Sequence, residues 1–122
     1  MNKYYEVIQQ ILPLLDTIKE GILHIQNQLV ELRYEEALTL LQDAMKGIAS
    51  IDSVMQPIYD ELPENNIDTL FVVVKESMNK AVDSYEQGSE SNLENQIEKE
   101  VLPSFKAWKE EMEKVLKPYV VS

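Results

Sequence analysis

Few side chains in this sequence are able to make or break bonds, and their spacing limits them further. There is one histidine, His24, and no cysteine. A di-iron helical bundle needs paired Glu-x-x-His motifs, and a zinc site draws on several His or Cys ligands. Neither can be assembled here. Any Ser-His-Asp set would have to use His24, which lies beside an apolar stripe and reads as a partly buried or flanking residue. No glycine-rich phosphate loop occurs. Carboxylates are plentiful, but Glu94, Glu98 and Glu100, then Glu110, Glu111 and Glu113, are interleaved with Lys99, Lys106, Lys109, Lys114 and Lys117. That is the pattern of a solvated helix face with local ion pairs. An all-carboxylate magnesium site for hydrolysing nucleotides would need acids facing each other on inner faces. Asp52 and Glu61 come nearest, and no repeated Glu-x-x-Glu pair stands on an apolar stripe. The expectation is a protein that is not an enzyme, with no catalytic residue, no metal and no cofactor.

The elements that position these residues follow from apolar periodicity. The organising stretch is Tyr34–Leu62. Ala37, Leu41, Ala44, Ile48, Ile51, Met55, Ile58 and Leu62 alternate in steps of four and three, one stripe along one helix face. A second row, Leu38, Leu40, Met45, Val54 and Tyr59, widens it, which predicts a central helix with more than one neighbour. Residues 3–32 repeat the pattern through Ile8, Ile11, Leu15, Ile18, Ile22, Ile25, Leu29 and Leu32, close to the heptad seam of a coiled coil. Pro13 predicts a kink in phase with the stripe. The stripe slips at Arg33–Tyr34, so a short turn makes an antiparallel hairpin of the first two helices. Gly21 and Gly47 fall at similar heights on that hairpin and predict a close approach of the two helices.

Pro57 predicts a kink near the end of the second helix, Pro63 closes that helix, and Asn65 or Asn66 caps the third. The third, about 67–87, buries Ile67, Phe71, Val74, Met78, Ala81 and Tyr85. Its run Phe71–Val74 has strand propensity but sits inside a helical period. Gly88 stops it. Ser91 and Glu94 read as a capping box opening a fourth helix, about 92–117, with Leu93, Ile97, Val101, Phe105, Trp108, Met112 and Val115 inside, a kink at Pro103 and an end at Pro118. Helices at about 3–32, 35–62, 67–87 and 92–117 with short connections predict one all-α domain over residues 1–122, an antiparallel up-down-up-down four-helix bundle with proline-kinked long helices. Tyr4, Tyr5 and Tyr119 would then meet at one end as an aromatic cluster, with Tyr119–Ser122 as a short tail.

Composition bounds the partners. The net charge is −11, with 44% hydrophobic and 27% charged residues. Such a chain is an ordinary globular one, repelled by phosphate backbones and anionic membrane. The amino terminus lacks the basic-then-apolar pattern of a signal peptide, and no apolar run approaches a membrane span. The expectation is a cytoplasmic protein that binds neither nucleic acid nor membrane. Residues 34–62 carry six acids against Lys46 alone. That acidic helix, with Leu40 and Val54 spare beside Asp43 and Glu61, is the predicted partner-binding face. It suits a basic amphipathic helix or a second copy of the chain.

Two resemblances bear on this reading. Tyr34-Glu35-Glu36-Ala37-Leu38 resembles the second helix of a tetratricopeptide repeat, but no 34-residue period follows, so a repeat fold is set aside. The longer run from Arg33 to Leu38, with Leu40-Leu41-Gln42-Asp43, Gly47-Ile48 and Ile51, resembles small uncharacterised helical proteins of Gram-positive bacteria, domains of unknown function. Size, acidity and long helices are also similar to flagellar export chaperones, and that similarity implies an adaptor bundle that holds a partner's helix.

Overall fold

The structure is a computed structural model describing residues 2–120. Among those residues it is all-helical, without a strand. A 3-10 turn (Asn2–Tyr4) leads into α1 (Tyr5–Val30), followed by α2 (Tyr34–Tyr59) and α3 (Ile67–Glu86). The fourth limb is composite: α4 (Glu90–Gln96), a π-helical turn (Ile97–Val101) and α5 (Leu102–Leu116) run end to end before a last 3-10 turn (Lys117–Tyr119). Of the expected tail, Val121 and Ser122 lie outside the described residues. The result is the four-helix bundle expected.

The predicted stripes carry the core, with Leu62, Phe71 and Tyr85 only half-buried at its margin. Every stripe residue of α1 from Ile8 to Leu29, and of α2 from Ala37 to Ile58, is buried. At the centre, Trp108 packs between Phe71, at 6.1 Å between ring centroids, and Phe105, at 5.8 Å. The Val72–Val74 run is helical, with Val74 buried and Val72 and Val73 outside. Burial at helical period has overridden local strand propensity. Among the described residues the tyrosines do not stack: Tyr4 and Tyr119 pack individually against the core, and Tyr5 accepts a hydrogen bond from Gln9 Nε2 at 2.9 Å.

Three local expectations are corrected. Leu32 is not on the inner face. It is 69% exposed and takes φ 61° in the three-residue turn between α1 and α2. Its N–H donates to Leu29 O, and Arg33 N–H donates to Gln28 O. So tight a reversal needs one left-handed residue, and no glycine is there to supply it. The capping box does not form. The chain turns through Gly88 at φ +74°, with Ser89 N–H donating to Ser84 O, and α4 starts at Glu90 without a side-chain cap. Gly88 compresses the turn, so the helix begins ahead of Ser91. At Pro103 a wide π turn precedes the proline, and Leu102 N–H reaches back to Ile97 O. Widening the helix there relieves the clash that a proline ring makes with the preceding turn. Finally, only Gly47 of the glycine pair is closely approached. A Cβ there would stand 3.1 Å from Ile18 Cδ1, whereas one on Gly21 would meet nothing within 4 Å.

Polar contacts set how the limbs register. Lys109 on α5 pairs with Asp16 of α1 and with Glu113, both at 2.9 Å. Burial disfavours its charge, but the hydrogen bonds it donates to Asp16 and Glu113 outweigh that and raise its pKa above the ordinary lysine value. Across the α3 seam, Ser84 Oγ donates to Gln96 Oε1 at 2.7 Å, Ser77 and Ser104 share a hydrogen bond, and Lys80 pairs with Glu100. The first turn of α3 is capped partly from its own loop, by Asn65 Oδ1 accepting from Ile67 N–H. Glu111 of α5 adds a cap from across the bundle, accepting from Asn66 N–H.

Candidate functional surface on the second helix

The four limbs do not close evenly. α1 packs along α2 and against α5, and α3 packs on α4, the π turn and α5, while the α2–α3 seam is sparse. α2 therefore has two different flanks. Leu40, Gly47 and Val54 recur at seven-residue spacing, so they share one line along the helix. The contact of Gly47 with Ile18 identifies that line as the flank beside α1. Asp43 lies one turn from both Leu40 and Gly47. Three of the four predicted partner-binding residues thus fall together on the α1 flank. Leu40 is half-buried against the core, Val54 is 47% exposed and Asp43 is exposed. Leu40 is therefore less spare than expected, because it covers the hairpin. Glu61 does not join them, since α2 ends at Tyr59 and Glu61 lies in the following turn.

The better-formed concavity is on the other flank. Met45, Ile48, Ala49 and Asp52 of α2 face Phe71, Lys75, Met78 and Asn79 of α3 across a groove of about 250 Å³. Ile48 and Met78 form its buried floor, Met45 and Phe71 are half-buried walls, and Ala49, Lys75 and Asn79 lie at the exposed rim. At its α2 edge the Asp52 carboxylate is fixed by two donors: Tyr59 Oη at 2.9 Å and Gln56 Nε2 at 3.2 Å. Burial, then the bond to Asp52, and then the negative charges of Asp52 and Asp68 push the Tyr59 phenol far above its ordinary pKa. Tyr59 is thus a permanent donor that holds Asp52 in place. On the facing wall the Lys75 ammonium sits 5.4 Å from the Phe71 ring centroid.

Sequence reasoning missed this groove because its second row mixed two lines. Leu38, Met45, Asp52 and Tyr59 form one seven-residue series, and Leu40, Gly47 and Val54 form another. Sorting by seven separates them, but which series faces α1 depends on the three-dimensional arrangement of the hairpin. His24 is exposed on α1 with Nε2 3.1 Å from Gln28 Nε2, and the two line a shallow groove with Glu35, Glu36, Thr39 and Leu40. The buried polar side chains among the described residues are Ser77, Ser84 and Gln96. Among the described residues no helix is long and apolar enough to cross a membrane.

No curated protein and no solved structure matches the chain. The family described as Domain of unknown function (DUF8042) matches residues 6–111, from the start of α1 to the last turns of α5, and the chain belongs to that family.

Proposed function

We propose that this chain is a non-enzymatic protein–protein interaction module with α2 as its docking element. The observation that supports this best is the largely apolar groove left open between α2 and α3, walled by flexible methionine and phenylalanine. The reading places the protein in the cytoplasm with a protein partner, and excludes nucleic acid and membrane as partners because a net charge of −11 repels both. Holding a partner's helix is what the likeness to flagellar export chaperones implies, and an adaptor of that kind is its most specific form. The resemblance to small helical proteins of Gram-positive bacteria belongs to the same reading. A carboxylate-metal nucleotide hydrolase is the enzymatic alternative, and it requires magnesium to raise thermal stability.

Self-association is the second reading, supported by the other flank. There Leu14 and Val54 are about half exposed, and nothing lies within 4 Å of a Cβ placed on Gly21. Affinity capture from native lysate with the parent chain, with Leu40→Glu/Val54→Glu and with Ala49→Glu tests both, alongside light scattering. The expected result is one dominant partner lost from one of the two variants, or a dimer mass abolished by Leu40→Glu/Val54→Glu. A monomer that captures nothing would overturn the interaction reading.

A further inference from the structure

We infer that the α2–α3 groove receives the apolar anchor of a basic amphipathic helix, whose lysine or arginine edge is taken by Asp52. This rests on the interaction reading above and specifies its surface and its occupant.

Size comes first. About 250 Å³ holds one or two bulky side chains. That is less than the roughly 300–1,000 Å³ of a site that encloses a small molecule, and it matches a helix-in-groove contact with anchors spaced three or four residues apart. The lining suits such anchors. Met45 and Met78 can repack around side chains of different shape, and Phe71 offers an aromatic wall.

Charge then selects the partner. α2 and α3 together carry eight acids and three lysines, and Lys80 is engaged by Glu100 on the far side of α3. Among the described residues, neither Asp52 nor Lys75 forms an ion pair. Asp52 is nevertheless held rigidly by Tyr59 and Gln56, so a fixed negative charge stands at the rim beside an apolar floor. A partner cation reaching it would form a charge-assisted bond to a preorganised acceptor. The walls differ in sign, with Asp52 on α2 and Lys75 on α3. The bound helix therefore lies with its basic edge over α2 and a neutral or acidic edge over Lys75.

The molecule contains its own reporter. Trp108, the single tryptophan, packs at a tilt against Phe71, which walls the groove. An anchor side chain pressed against Phe71 will change the Trp108 emission. The test titrates the full chain with a tryptophan-free synthetic amphipathic helix of leucine and lysine, and with its leucine–glutamate counterpart. Ala49→Arg fills the exposed rim of the groove, and Val54→Arg makes the same charge change on the opposite flank. The expected result is a saturable emission change with the lysine helix only. Its affinity should fall at least ten-fold in Ala49→Arg, several-fold in Asp52→Asn and less than two-fold in Val54→Arg. No emission change would overturn the assignment, as would equal losses in Ala49→Arg and Val54→Arg, which would mean diffuse charge attraction. Partners captured from lysate whose loss follows Val54→Arg and not Ala49→Arg would leave the interaction reading standing and overturn this one.

Discussion

Leu32 and the glycine pair show how single residues depart from their pattern. Leu32 continues the α1 stripe by spacing, yet it occupies the left-handed turn at φ 61° and is largely exposed. A non-glycine residue there costs about 1 kcal/mol or more. Leu32→Gly is therefore expected to raise stability by about 1 kcal/mol in urea denaturation. Gly21→Ala should also stabilise, by about 0.5–1 kcal/mol, because a helical glycine with open space above it sacrifices only propensity. Gly47→Leu should do the opposite, since Ile18 already stands where its side chain would begin. The reversed signs at two glycines of one hairpin separate packing from propensity.

Two titrating residues share a direction at alkaline pH. The folded state keeps the Tyr59 and Lys109 protons where the unfolded chain has lost them. Their contributions are intact below the ordinary tyrosine and lysine values, about pH 10 and 10.5, and are lost as pH rises through the raised folded values. Stability should therefore decline above about pH 10. The decline should be shallower in Tyr59→Phe, as thermal melts across pH 8–11.5 would show; an unchanged slope would contradict the Tyr59–Asp52 bond.

Among the elements, legibility divided by the range of the interaction. The inner faces of all four limbs were readable, because burial at a 3.6-residue period leaves its mark in the order of residue types. Gly88 was readable as a stop for the same local reason. Long-range contacts were not readable. The cap on α3 comes partly from Glu111, and the seam between α3 and the fourth limb is pinned by Ser84–Gln96 and Ser77–Ser104. Those pairs look like ordinary polar residues until the helices meet. Ser84→Ala should leave the Gln96 carbonyl buried without a partner and cost about 1–3 kcal/mol. Combining it with Gln96→Leu should recover much of that loss, and a double-mutant cycle that is simply additive would deny the coupling.

Over the whole molecule, uneven closure decides which surface is available. The α1–α2 hairpin and the α3–α5 unit are each well packed, and Lys109 ties them along the α1–α5 seam. The α2–α3 seam has no comparable ion pair among the described residues, and it is there that the apolar groove opens. The acidity of the second helix was legible in composition. The flank that carries the concavity was not, because it depends on how the hairpin is laid against α3. The predicted residues Leu40, Asp43 and Val54 belong to the flank beside α1, and the groove belongs to Met45, Asp52 and Phe71.

The central claim is that this groove is the working surface. Placing a photoreactive phenylalanine analogue at position 49 in one variant and at position 54 in another, followed by irradiation in native lysate, asks that most directly. The expected result is one dominant cross-linked protein from position 49 and none from position 54. Cross-links from position 54 alone, or from neither, would contradict it.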